Sequence, residues 1–220
     1  MTAKLYYYPS TGKANQIRLA LAAANIDFQD VHPNPGGFPP SKDQKAIWQK
    51  IGGNTTTNVP MLEMPDGKVY TQSSAVLRAV GRMGNLMPSS DDAMYLLDKL
   101  LADAEDLRAE SYKCFRAWGA SEESYTAYIN EVLPLHLGNF ERILVNGSGD
   151  FFVEKDKLTV ADIAVYDAVV NFGANRAPEG CLDNFVELKK WVDRVESNAG
   201  IAAYLSSDKF DKISKFNRTM

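Results

Sequence analysis

An α/β half followed by an all-helical half is the fold class this sequence predicts, and three observations predict it. Eight of the ten prolines fall within residues 1–88. The charge divides at the same place: residues 1–82 hold nine Lys/Arg against five Asp/Glu, a net +4, and the rest hold fifteen against twenty-three, a net −8. Beyond residue 91 the apolar residues recur at helical spacing almost without interruption.

The first half alternates element types. Lys4–Tyr8 is a short aromatic strand stopped by Pro9. From Ala14 to Asn25, Ile17, Ala20, Leu21 and Ala24 recur at i, i+3, i+4 and i+7, the stripe of an amphipathic helix. Ile26–Val31 can form a second strand. His32–Lys42 contains Pro33, Pro35, Pro39, Pro40 and Gly36-Gly37 and predicts a loop. Asp43–Ile51 is a short helix ended by Gly52-Gly53. Val59–Met64 and Lys68–Thr71 are strands joined by the turn Pro65-Asp66-Gly67. Ser73–Arg82 closes the half with Ala75, Val76, Ala79 and Val80 as its apolar stripe. A parallel, right-handed βαβ unit, a helix and then an antiparallel ββα unit make a thioredoxin-like half.

Domain limits follow: a thioredoxin-like domain over residues 1–82, a linker at 83–91 that includes Pro88, and an all-helical domain over 92–220. Helices are predicted over Asp92–Trp118, Ser121–Leu144, Thr159–Phe172 and Asp183–Asn198, with Pro134 kinking the second. In Leu158-Thr159-Val160-Ala161-Asp162-Ile163, Thr159 and Asp162 stand as a capping box, with Leu158 and Ile163 as its hydrophobic staple. The charged tail Asp208–Met220 is expected to pack loosely.

Composition excludes several classes. With 45% hydrophobic residues in 220, the chain can bury a core. The longest apolar run, Leu19–Ala24, is too short for a membrane span, and Leu5–Tyr8 is too short for a signal peptide. Cys114 and Cys181 form no CxxC and His32 and His136 share no motif, which argues against a disulfide framework or a metal site. The acidic second half argues against nucleic acid as a partner. The expectation is a soluble, cytoplasmic protein with neither a membrane nor a nucleic-acid partner.

The motifs Leu5-Tyr6-Tyr7-Tyr8-Pro9, Asn58-Val59-Pro60-Met61-Leu62, Gln72-Ser73-Ser74 and Leu158-Thr159-Val160-Ala161-Asp162 stand in that order over nearly the whole chain. In this the sequence resembles the cytosolic glutathione S-transferases of the Tyr type, and most of all their sigma-like classes. The resemblance implies detoxifying transfer of glutathione to small hydrophobic electrophiles, with glutathione as co-substrate, no further cofactor, and a homodimer. It also leaves open a glutathione-dependent isomerase or peroxidase of the sigma type, or a non-catalytic member of the fold.

Such chemistry needs a thiolate. A thiol of pKa ~8.5 is about 3% ionised at neutral pH. Lowering that pKa by about two units takes roughly 2.7 kcal/mol of preference for the anion. One hydrogen bond to a charged acceptor supplies roughly 1.5–3 kcal/mol, so a single well-aimed hydroxyl suffices. The resemblance places that hydroxyl on Tyr7. Some transferase classes use a serine just after this strand, which keeps Ser10 as the alternative.

The remaining glutathione contacts implied are Lys13, Trp48, Lys50, Asn58, Val59, Pro60, Gln72, Ser73 and Asp106. Lys13 stands where sigma-like members often carry Arg, and it keeps the charge without the planar fork. Trp48 matches a position at the glycine end of the tripeptide. The lysine expected one turn later is Gly52 here, which leaves Lys45 or Lys50 as substitutes. A cis Val59–Pro60 bond would aim the Val59 main chain at the glutathione cysteine. Gln72 and Ser73 open a helix whose free amides suit the γ-glutamyl carboxylate, although Ser73 or Ser74 also suits an N-cap. Glu105-Asp106 aligns with an acidic pair that crosses the dimer, Asp106 being the favoured member, although the pair also suits a solvated acidic face with Asp98 and Asp103. Arg108, Tyr112, Phe115 and Trp118, with Tyr204 and Phe210, are candidates for the second-substrate pocket, and Asp162 is assigned to folding.

Overall fold

A computed structural model describes residues 2–32, 39–115 and 119–216. Trp118 and residues 33–38 of the expected loop lie outside the described residues. In chain order the elements are β1 (Ala3–Tyr6), α1 (Asn15–Ala23), β2 (Phe28–Val31), α2 (Lys42–Ile51), β3 (Met61–Glu63), β4 (Val69–Thr71), α3 (Ser73–Met83), α4 (Asp91–Lys113), α5 (Glu122–Ala127), α6 (Leu133–Asn146), α7 (Val160–Asp167), α8 (Val186–Glu196), α9 (Ala199–Leu205) and α10 (Asp208–Asp211). A 3₁₀ turn at Gly12–Ala14 precedes α1, and π-helical turns occupy Tyr128–Val132 and Ala168–Ala174. The chain divides into two compact units, Met1–Asn85 with Gly200–Ser214, and Leu86–Ala199 with Lys215–Met220.

In the first unit the sheet order is β2-β1-β3-β4. β1 is parallel to β2 and antiparallel to β3, and β3 is antiparallel to β4. This is the thioredoxin-like topology that the element order implies. β1 ends earlier than expected, at the Tyr6–Val31 pair. Tyr7 still donates its amide to the Val31 carbonyl at 3.2 Å, but the chain then turns, with Ser10 N on Tyr8 O at 2.7 Å. Leu5, Ile17, Leu21, Met61, Leu62, Val76 and Val80 are wholly buried and form the core. In α3 the exposed Ala75 leaves the expected stripe and the buried Leu77 takes its place. α2 starts at Lys42 because the Ser41 hydroxyl accepts from Gln44 N at 3.1 Å.

The tail through Ser214 does not pack loosely. Lys209 Nζ lies 3.3 Å from Asp27 Oδ1 and donates to the Phe28 carbonyl at 3.0 Å. Ile213 is buried, and Ser214 pairs with Ser10 in an isolated parallel bridge. This docking joins residues far apart in the chain, and local composition does not register it.

In the second unit Ser90 and Ser121 cap α4 and α5 through their hydroxyls. Pro134 is the second residue of α6, directly after the π turn at Tyr128–Val132. The expected kink is therefore a change of helical register, which accommodates a residue without an N–H. The second π turn spares the Phe172 carbonyl for side-chain donors, Tyr128 Oη at 2.7 Å and Ser111 Oγ at 3.1 Å.

Thr159 and Asp162 close the capping box of α7. The wholly buried Asp162 carboxylate accepts from Thr159 N, Thr159 Oγ1, Phe152 N and Trp191 Nε1 at 2.7–3.2 Å. Burial pushes this carboxyl above its ordinary value, against the pull of those donors. Asp162 thus joins α7, α8 and the segment before α7, which is a folding role.

Candidate active site

Tyr7 is the first residue past β1, and its ring reaches the turn that begins α1. The Lys13 amide donates to Tyr7 Oη at 2.9 Å. That bond needs a close approach of main chain to ring. Gly12 has φ +39°, and a β-carbon there would fall 2.4 Å from Tyr7 Oη. Glycine is the residue that meets both demands. Because Oη accepts from Lys13, the phenolic proton is directed elsewhere, and the donated bond polarises the O–H and strengthens it as a donor.

Arg18 lies behind this turn, wholly buried. Its Nε donates to Asp30 Oδ1 at 2.9 Å, its Nη1 to Ser10 O at 2.7 Å and its Nη2 to Tyr8 O at 3.2 Å. The guanidinium carbon stands 5.9 Å from the centroid of the Tyr7 ring.

A cavity of about 260 Å³ opens beside Lys13, and Thr56, Asn58, Val59, Pro60, Gln72 and Ser73 complete its wall. The structure thus brings together six of the residues singled out from sequence. The Val59–Pro60 bond is cis. Gln72 has φ +69°, a left-handed conformation for a residue with a side chain, and it stands as the N-cap of α3. Ser73 begins that helix, so its free first-turn amides and partial positive charge lie at the wall. Lys13 is the charged side chain among these lining residues.

Thr56 was not anticipated. A β-carbon on Gly52 would meet Thr56 Cγ2 at 2.6 Å, so Thr56 sits against the position where the resemblance led one to expect a lysine. The run Thr55-Thr56-Thr57 reads as polar loop and carries no distinguishing signal. Arg18 did leave one, a lone cation inside the apolar run of α1.

Other residues fall elsewhere. Trp48 is buried to 2% exposure and meets the Tyr8 ring edge-on at 5.9 Å, so it packs in the interior and does not line the cavity. Lys50 and Lys45 are exposed on α2. Asp106 is exposed on α4.

Arg108, a candidate for the second-substrate pocket, is buried. Its Nη1 donates to Glu105 Oε2 at 2.7 Å and its Nη2 to the wholly buried Asp167 Oδ2 at 3.1 Å. Phe115 is buried too, at 2% exposure, beneath the Arg176 guanidinium, whose carbon is 4.0 Å from its centroid. Tyr112 is half-buried and joins Phe115, Phe172 and Phe216 in an aromatic cluster with centroids 4.7–6.2 Å apart, edge-to-face except for the tilted Tyr112–Phe115 pair. Tyr204 and Phe210 pack on each other at 5.4 Å. Among the described residues no cluster of three His, Cys, Asp or Glu could hold a metal ion, and no helix is long and apolar enough to cross a membrane.

The chain thus has a thioredoxin-like half with a tyrosine just past its first strand and a cis-proline cavity, and an all-helical half follows it in sequence. Residues 1–81 match the family described as glutathione S-transferase, N-terminal domain, and residues 105–208 match glutathione S-transferase, C-terminal domain. Curated relatives include the glutathione S-transferase of Plasmodium yoelii yoelii, 27% identical with 91% of each chain covered. Another is glutathione S-transferase Mu 3 of Homo sapiens, 29% identical over 97% of this chain and 92% of that one. Among solved structures, the Pi-class glutathione S-transferase of Onchocerca volvulus aligns with a TM-score of 0.76 at 25% identity, covering 97% of this chain and 96% of that one. The chain belongs to the glutathione S-transferase family and is an enzyme of that kind.

Proposed function

We propose that this enzyme ionises glutathione through the Tyr7 hydroxyl and transfers the thiolate to small, hydrophobic electrophiles. The observation that carries the reading is the Lys13 amide on Tyr7 Oη, at 2.9 Å, in the same residue whose side chain lines the cavity. In the complex the tripeptide lies in that cavity. The amides opening α3, with Gln72 and Ser73, receive the γ-glutamyl carboxylate, and Val59 pairs with the cysteine main chain. The Tyr7 O–H donates a hydrogen bond to the sulfur, whose own proton leaves to solvent, and one such bond supplies most of the roughly 2.7 kcal/mol the thiolate needs. Stabilised negative charge on sulfur is the main catalytic effect. Sulfur forms its new bond to the electrophilic carbon as the leaving group departs with its electron pair, or, in conjugate addition, as the electrons pass into the conjugated system, which then takes a proton from water. Glutathione is the co-substrate.

Tyr7 is favoured over Ser10 because the Tyr7 hydroxyl accepts from the amide of Lys13, a residue that lines the cavity, while the Ser10 carbonyl is held by Arg18. The reading includes a homodimer in which Asp106 reaches the partner's glutathione. Asp106 and Tyr95, the latter 71% exposed, stand on one face of α4, eleven residues and so about three turns apart. Sedimentation as a monomer at micromolar concentration overturns that part.

Turnover with a chloronitrobenzene acceptor tests the whole. Tyr7→Phe is expected to bind glutathione within about threefold of wild type while losing about 10–100-fold in kcat/KM at pH 7, the thiolate fraction that two pKa units represent. Full activity in Tyr7→Phe together with an inactive Ser10→Ala overturns the assignment.

A further inference from the structure

We propose that Arg18 and the main chain of Ser214 are positioning residues for the Tyr7 hydroxyl, clamping from two sides the loop that leads to the Lys13 amide. The proposal rests on the role of Tyr7 given above. Between Tyr7 and the 3₁₀ turn the chain runs through Tyr8, Pro9, Ser10 and Thr11, outside any helix or sheet ladder. Each carbonyl of this stretch nevertheless has a donor. Tyr8 O accepts from Ser10 N at 2.7 Å and from Arg18 Nη2 at 3.2 Å. Pro9 O accepts from Ser214 N at 2.9 Å, Ser10 O from Arg18 Nη1 at 2.7 Å, and Thr11 O from Asn15 N at 2.9 Å. Thr11 N in turn donates to Ser214 O at 2.9 Å.

Both arms of the clamp trace back to the same strand. Arg18 is bound to Asp30, which pairs with Leu5 in the β1–β2 ladder. Its planar fork lets one buried cation serve a carboxylate and two carbonyls at once. Ser214 follows the buried Ile213, and its tail is fastened by Lys209 to Asp27 and the Phe28 carbonyl at the start of β2. The loop is thereby referenced to the strand beside which Tyr7 emerges. The consequence is geometric. The Lys13–Tyr7 bond is 2.9 Å long, and a drift of about 1 Å in the loop would take it beyond hydrogen-bond length. A group that must direct one proton at one sulfur tolerates about 0.5 Å.

Ser214→Pro removes the donor to Pro9 O, and a chain shortened to end at Ile213 removes both Ser214 bonds. The shortened chain decides where Ser214→Pro does not fold. Two quantities are read: hydrogen exchange of the Lys13 amide by NMR, and the pH titration of the thiolate of bound glutathione by its ultraviolet absorbance. The expected result is Lys13 exchange at least about tenfold faster and an apparent thiol pKa higher by about one unit, which from a starting value of ~6.5 is a roughly threefold loss of thiolate at pH 7. Glutathione affinity stays within about threefold, because the cavity wall is intact.

Unchanged Lys13 exchange in both variants overturns the clamp. Faster exchange with an unmoved thiol titration overturns the positioning role while leaving Tyr7 in place. A wild-type enzyme whose bound glutathione titrates as it does free in solution overturns the reading of Tyr7, and the positioning role falls with it.

Discussion

Gly12 and Tyr7 exclude any side chain between them: a β-carbon at position 12 would stand 2.4 Å from the phenolic oxygen and 2.8 Å from the ring. The φ of +39° at Gly12 adds a second obstacle, since L side chains rarely adopt it. Gly12→Ala is therefore expected to displace either the ring or the Lys13 amide. Activity with a chloronitrobenzene acceptor should fall about tenfold or more, while overall stability falls by about 1–2 kcal/mol. Steady-state kinetics beside a denaturant titration separates the two effects. A variant that loses stability but keeps its kcat would show that the Tyr7 contact is structural only.

Arg108 predicts the opposite division. It is bound to the wholly buried Asp167 at 3.1 Å and to Glu105 at 2.7 Å, inside the helical unit. Arg108→Leu strips a buried carboxylate of its cation and should cost about 3–5 kcal/mol of stability. In whatever fraction stays folded, KM for the electrophile should be unchanged within about twofold. A raised KM at normal stability would return Arg108 to the substrate pocket.

The pair Tyr6–Glu63 ties β1 to β3 and gives the protein a pH signature away from the active site. Tyr6 Oη donates to Glu63 Oε2 at 2.5 Å, and Lys4 Nζ stands 3.4 Å from the same carboxylate. Burial first, and then the bond to Glu63, pushes the Tyr6 phenol from 10.0 up to about 12. The bond from Tyr6 is the main reason the Glu63 carboxyl lies below its ordinary value. The raised phenol stabilises the fold fully below about pH 10, and that contribution is lost as pH rises towards about 12. The depressed carboxyl contributes above its ordinary value, near ~4.3, and is lost as pH falls through its lower value in the fold. Solvent screening at this half-buried site keeps each contribution below about 1 kcal/mol. Denaturation midpoints against pH for wild type and Tyr6→Phe should differ least above pH 12 and at the acid extreme. Equal spacing of the two curves at every pH would show that the bond does not hold either group's protonation state.

Local signals in the sequence read well wherever a single element carried them. The stripe Ile17, Ala20, Leu21 became the buried face of α1, and Pro65-Asp66-Gly67 became the turn between β3 and β4. Thr159 and Asp162 became a capping box, and five residues of two quoted motifs, Asn58, Val59, Pro60, Gln72 and Ser73, came to line one cavity. What the structure adds to the reading has a common cause. Arg108, Phe115 and Trp48 are buried, and nothing in their spacing announces it, since a cavity wall and an interior both favour aromatic and long side chains at helical intervals. The tail was read from its charge, but its position comes from Lys209 and Ser214, whose partners lie about two hundred residues earlier.

By itself, then, the sequence determined the order and type of the elements and the division into an α/β and a helical half. Those properties reside in short stretches, where propensity, capping and turn chemistry act between near neighbours. Only the tertiary structure decided that Gly12 must be bare, that Arg18 and Ser214 meet on one loop, and that Arg108 turns inward. Each depends on an approach between segments that are distant in the chain, and such an approach is set by packing, which leaves no periodic trace in the residues that make it.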